Sequence, residues 1–92
     1  MPRPPLPLHA LRAFEAAARH QNLTRAALEL CVSQAALSHQ IRTLEQRLGV
    51  SLFHRLPRGV ALTEEGASLY PVLSDAFDRI AGGVERFLGG QG

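Results

Sequence analysis

Ser33-Gln34-Ala35-Ala36-Leu37-Ser38-His39-Gln40-Ile41-Arg42-Thr43-Leu44-Glu45-Gln46-Arg47-Leu48-Gly49 is the stretch on which the reading of this chain turns. Ser33 is suited to cap a helix, because its hydroxyl can accept from a backbone N–H in the first turn. Gly49 suits the left-handed position that ends one. Between them Leu37, Ile41, Leu44 and Leu48 recur at helical spacing and form one apolar stripe. At about 100° per residue, Ala35, His39, Arg42 and Gln46 fall within roughly 60° of the opposite pole. A helix is therefore expected from Ser33 to Leu48, with small residues at its start and donors along its outer face.

Working upstream, Thr24 is placed to cap a short helix ending at Leu30, with Ala27, Leu28 and Leu30 for packing. Gln21-Asn22-Leu23 breaks it from an earlier helix over 8–20. There Leu8, Leu11, Phe14 and Ala18 face one way and Arg12, Glu15 and Arg19 the other. The Pro-rich opening is extended and stops at Pro7, which fits a first helical turn. Cys31 sits at the corner, in a left-handed position that Gly or Asn fits more easily, with a packed thiol expected. Two short helices with a tight connection, the second polar outside, make a helix-turn-helix pattern. The same helices also describe a small bundle.

Downstream, Val50-Ser51-Leu52-Phe53-His54-Arg55 and Val60-Ala61-Leu62 are β-prone runs separated by Leu56-Pro57-Arg58-Gly59. They predict a hairpin with Arg55 and Arg58 at its tip, the position of a wing. Thr63 can cap a last helix, with Glu64 and Glu65 at its positive end. Along that helix Tyr70, Leu73, Phe77, Ile80, Val84 and Phe87 alternate at three and four, an a/d seam. Pro71 is expected to bend the helix and Gly82-Gly83 to weaken it, with residues 89–92 a flexible tail. A core stripe would explain the seam, but the preceding elements already use most of a small core. Symmetric pairing of two copies is the expectation.

The whole chain has 92 residues and 10.0 kDa, enough for one small domain. A single cysteine excludes an internal disulfide scaffold, and no stretch is apolar enough to span a membrane or resembles a secretion signal. A cytoplasmic protein is expected. The four His and one Cys have no metal-ligand spacing, no cofactor is expected, and no nucleophile elbow or phosphate loop supports catalysis. The net charge of +2 hides a division. Residues 1–63 carry eight Arg against three Glu, a balance of +5, whereas residues 64–92 carry two Arg against five acids, a balance of −3. Every basic residue of the ten is Arg, the better bidentate partner of phosphate and guanine, although a G+C-rich genome also favours Arg over Lys.

A basic body with an acidic last helix points to a polyanion for the body alone. Ser33, Gln34, Ala35, Ser38, His39 and Arg42 suit a helix that reads base edges. Arg55 and Arg58 suit a phosphate or minor-groove contact, and Thr24 and Ser33 suit caps or phosphate contacts. The competing reading of these faces is ordinary solvation, and of the whole chain a dimeric helical module that binds an acidic protein.

The residues also resemble a known family. Ala26-Ala27, Val32-Ser33-Gln34-Ala35-Ala36-Leu37-Ser38, Ile41, Leu44-Glu45 and Leu48-Gly49 look like the signature of LysR-type transcriptional regulators. So do Leu52-Phe53-His54-Arg55, Arg58, Leu62-Thr63 and Gly66, and the likeness runs over residues 8–88. Leu56-Pro57-Arg58-Gly59 and Phe77-Asp78-Arg79-Ile80-Ala81-Gly82 resemble the branch of glycine-cleavage activators and β-lactamase regulators. The resemblance implies a mainly α winged helix-turn-helix, three helices plus a two-stranded wing, over residues 1–62. It implies a linker helix over 63–88 that pairs antiparallel in a homodimer, and double-stranded operator DNA with an interrupted palindrome as partner. Base-reading positions carried over fall on Ser33, Gln34, Ala35, Ser38, His39 and Arg42, and wing contacts on Arg55 and Arg58. Ala35 stands where many relatives have Pro, and His39 where many have Arg, which weakens both contacts. Control of a β-lactamase gene and a muropeptide effector follow from the branch, the effector belonging to a C-terminal domain outside these residues.

Overall fold

A computed structural model describes residues 5–89 of the chain. Its elements run α1 (Leu8–His20), α2 (Leu23–Leu30), α3 (Gln34–Leu48), β1 (Phe53–Arg55), β2 (Val60–Leu62) and α4 (Glu64–Gly89). Three helices pack on one another, the two strands form an antiparallel hairpin, and α4 leaves along the side of α1.

The contact face of α1 is built from small side chains. Ala10, Ala13, Ala16 and Ala17 are buried around a fully buried Phe14, while Leu8 is exposed and Leu11 half-buried. Of the expected stripe Phe14 and Ala18 are buried and Leu11 packs against the core, so only Leu8 departs from it. The alanines widen that face, and their short side chains leave room for both α2 and α3. Glu15, expected on the polar side, is also buried, paired with Arg19.

Asn22, not Thr24, caps α2: its Oδ1 accepts from the Arg25 N–H at 2.9 Å. The buried face is Leu23, Ala26 and Ala27, with Leu30 packed beside it as expected, and Leu28, on the opposite side, is 74% exposed. Cys31 adopts the left-handed conformation (φ 59°), as its corner position requires. Its thiol is exposed rather than packed. The corner is closed by the Val32 N–H donating to the Ala27 carbonyl at 3.0 Å.

In α3 Ser33 Oγ accepts from the Ala36 N–H at 3.0 Å, and Gly49 (φ 74°) ends the helix. Leu37, Ile41 and Leu44 are buried; Leu48, in the final turn where the chain swings away, is half exposed. Glu45 reaches past that turn, its Oε2 accepting from the Leu52 N–H at 2.7 Å and the Phe53 N–H at 3.4 Å. That carboxylate fixes where the hairpin starts. Phe53 stacks tilted on Phe14, with ring centroids 5.3 Å apart.

Phe53 pairs with Leu62, His54 with Ala61 and Arg55 with Val60. Thr63 then works twice, its hydroxyl donating to the Ser51 carbonyl at 2.7 Å and accepting from the Gly66 N–H at 3.0 Å. α4 runs unbroken through Pro71 and Gly82-Gly83, although Pro71 brings no N–H to the Ala67 carbonyl. Its first half, through Leu69, Tyr70, Leu73 and Phe77, packs on the chain's own core. Beyond that, Ile80 is 60% exposed, Val84 53% and Phe87 80%. Gly89 is the last residue of α4; the rest of the expected tail, and residues 1–4 of the Pro-rich opening, lie outside the described residues. Among the described residues no helix is long and apolar enough to cross a membrane.

Candidate nucleic-acid interface

Burial of Leu37, Ile41 and Leu44 turns the opposite face of α3 outward. Gln34, Ala35, Ala36, His39 and Arg42 are exposed on it, with Ser38 half-buried between them. The first turn carries no side chain larger than Gln34, so a wide groove's floor can approach the backbone closely. Its unpaired amides and the positive end of the helix dipole face the same way.

The hairpin places a second cationic element beside this face. Leu56 N–H donates to the Gly59 carbonyl at 3.1 Å, closing the tip around Pro57 and Arg58. Gly59 has φ 86°, and a Cβ there would lie 2.6 Å from the Gln21 carbonyl oxygen. The wing is therefore seated against the α1–α2 corner and can close only with glycine. Arg55 and Arg58 are both exposed. A groove of about 260 Å³ runs between the wing and the N-termini of α2 and α3, lined among others by Asn22, Thr24, Gln34, Arg55 and Pro57. Inside it the Thr24 hydroxyl donates to Gln34 Oε1 at 3.1 Å.

Of the residues expected to touch DNA, Thr24, Gln34 and Arg55 thus share one groove. Ala35, Ser38, His39 and Arg42 continue along α3 from it, Ser33 is committed as a cap, and Arg58 stands at the wing tip. Of the expected pairing seam, Leu73 is buried and Tyr70 and Phe77 half-buried within the chain, while Ile80, Val84 and Phe87 remain uncovered. Asn22 was missed as a groove residue, although Asn ahead of a helical run is itself a cap signal.

An ionic cluster braces the helix pair from behind. Arg19 bonds Glu15 at 3.0 Å and Glu29 at 2.7 Å, and His20 Nε2 meets Glu29 at 2.7 Å. The Arg19 guanidinium, with burial opposing and His20 assisting, holds the Glu29 carboxyl down to about 2. Glu15 and Glu29 raise Arg19 above its already high ordinary value. Glu29 thus ties the end of α1 to α2, keeping the corner that presents α3. No group of three or more His, Cys, Asp or Glu among the described residues is arranged to hold a metal ion.

Comparison with known proteins gives a consistent answer. Residues 8–67 match the family described as bacterial regulatory helix-turn-helix protein, lysR family. The chain is 71% identical over 90 residues to the HTH-type transcriptional activator AmpR of Pseudomonas aeruginosa, covering 98% of this chain and 30% of that protein. It is 60% identical over 82 residues to the carbapenem-hydrolyzing beta-lactamase transcriptional activator of Serratia marcescens, covering 89% and 28%. The chain therefore spans less than a third of the length of these relatives. Among solved structures, the BenM_DBD/catB site 1 DNA complex superposes with a TM-score of 0.78 at 36% identity, over 87% of this chain and 90% of that one. With its winged helix-turn-helix fold and a match over most of its length, the chain belongs to the lysR family of bacterial regulatory helix-turn-helix proteins.

Proposed function

We propose that this chain reads double-stranded DNA at an interrupted palindrome, as a homodimer, within a cytoplasmic transcriptional regulator that controls a β-lactamase gene. The observation that carries it is the outward face of α3, polar and small-residued from Gln34 to Arg42 and flanked by the cationic wing. A helix of this kind enters the major groove by its N-terminal half, while arginines at a wing reach the flanking backbone or minor groove. Residues 1–62 form the reading body on this proposal, and residues 63–88 join two copies through the uncovered part of the seam. Half-sites then lie about one helical turn, ~10 bp, or a multiple of it, apart. The β-lactamase target rests on the names of the relatives, and any muropeptide control is exerted by residues outside this chain.

Footprinting of the 92-residue chain on the promoter region beside its gene tests the proposal: protection of two related half-sites is expected. Arg42→Ala is expected to cost about 1–3 kcal/mol in affinity and to relax preference at one base pair per half-site. Equal weakening on every sequence would make Arg42 a phosphate contact. Absence of any sequence-preferring, salt-sensitive duplex binding would leave the protein-interaction module as the better reading.

A further inference from the structure

A primary amide carries its acceptor and its donors on opposite arms of one rigid plane, so fixing one arm fixes the other. Gln34 is the first residue of α3 and exposed, and its Oε1 accepts from the Thr24 hydroxyl at 3.1 Å. Thr24 is itself held in place, because burial of Leu23, Ala26 and Ala27 sets the rotation of the helix that carries it. Among the described residues Gln34 Nε2 has no hydrogen-bond partner. Both side chains line the groove beneath the wing, with Arg55 opposite. Glutamine recognises adenine with both arms, accepting from the N6 amino group and donating to N7. With its oxygen turned back toward α2, Gln34 leads with its NH2 alone.

We infer that Thr24 is a specificity-setting residue that acts through Gln34, making it a donor-only reader that selects guanine or thymine over adenine. Guanine offers such a donor two acceptors, N7 and O6, and thymine offers O4, whereas adenine offers N7 alone beside an N6 amino group that finds no acceptor on the turned-back amide. The inference rests on the DNA-reading function proposed above. It changes the part expected of Thr24, from a cap or phosphate contact to a positioning residue, and gives a physical reason for a hydroxyl at this place on α2.

The test is selection from a randomised duplex library by the 92-residue chain and by four variants: Thr24→Val, Thr24→Ser, Gln34→Ala and the Thr24→Val/Gln34→Ala pair. Both side chains are exposed, so thermal unfolding midpoints should stay unchanged. Gln34→Ala is expected to erase preference at one base pair of each half-site. Thr24→Val should move preference at that same base pair toward adenine by about tenfold, within the range of one good base contact. Thr24→Ser should keep the parent preference, and Thr24→Val should do nothing further once Gln34 is Ala. Uniform weakening by Thr24→Val without altered preference would make Thr24 a phosphate contact and overturn the inference. So would an effect at a different base pair, an effect that persists in the Gln34→Ala background, or a parent preference for adenine at the Gln34 position. If the parent chain enriches no sequence at all, the DNA-reading function fails and this inference with it.

Discussion

Gly66 and Gly49 are both required by the backbone, for opposite reasons. A Cβ on Gly66 would overlap the Leu52 carbonyl oxygen and crowd Leu62, neither of which can yield without opening the seat of α4. A Cβ on Gly49 meets nothing within 4 Å, so only its left-handed φ of 74° resists substitution. Gly66→Ala is therefore expected to cost about 3 kcal/mol, the upper end for overpacking, and Gly49→Ala about 1 kcal/mol. Denaturant unfolding of the two variants measures the difference, and equal losses would mean that α4 can shift freely. Glu29 adds a pH-dependent contribution. Its folded value, about 2, lies below the ordinary 4.5, so its stabilisation is present above about 4.5 and is lost as pH falls through about 2. Arg19 and Glu29 side chains are 41% and 38% exposed, so solvent screening holds the effect to about 1 kcal/mol. Glu29→Gln should be less stable than the parent chain at pH 7, with the gap closing between those two pH values. A gap that persists at pH 2 would assign the loss to something other than this charge.

Each helix shows a different limit of what periodicity can tell. For α3 the stripe of Leu37, Ile41 and Leu44 is legible because large side chains at helical spacing have only one way to be buried. In α1 the same rule finds Phe14 and Ala18 but not Ala10, Ala13, Ala16 and Ala17, since alanine is weakly apolar and its burial comes from the fit of neighbouring helices. For α2, eight residues are barely two turns, too few for spacing to tell that Ala27 and Leu30 lie on the core side and Leu28 on the surface. Along α4 one continuous seam serves two environments, a division that spacing cannot reveal because both obey the same period. Leu73→Ala removes a buried side chain and should cost the protomer about 2–3 kcal/mol of unfolding free energy. Val84→Asp, on the uncovered half, should leave that stability nearly intact while weakening self-association about tenfold or more, through an unpaired charge in an apolar seam. Sedimentation across a concentration series distinguishes them. Unchanged association for Val84→Asp would remove this half of α4 from the proposed dimer contact.

At the scale of the whole molecule, the charge division follows the architecture. The +5 region ends at Thr63, the cap of α4, and the −3 region is α4 and the residues after it. That correspondence was legible because charge placement needs no folding calculation. What was not legible is which arginines the fold withdraws from the positive side. Arg19 is spent on Glu15 and Glu29, whereas Arg42, Arg55 and Arg58 meet no carboxylate among the described residues. A duplex should therefore sense fewer cations than the sequence carries. Each phosphate neutralised contributes about −0.9 to the slope of log K against log salt. Arg58→Ala should reduce that slope by about one for each bound protomer, hence about two for a pair on a palindrome. Arg19→Gln should leave the slope unchanged, because its charge is already compensated on the protein and lies outside the groove under the wing. Titrating a fixed duplex across a salt series measures both. A slope that falls equally for the two variants would mean that the DNA responds to net charge at long range, and that the wing has no privileged contact.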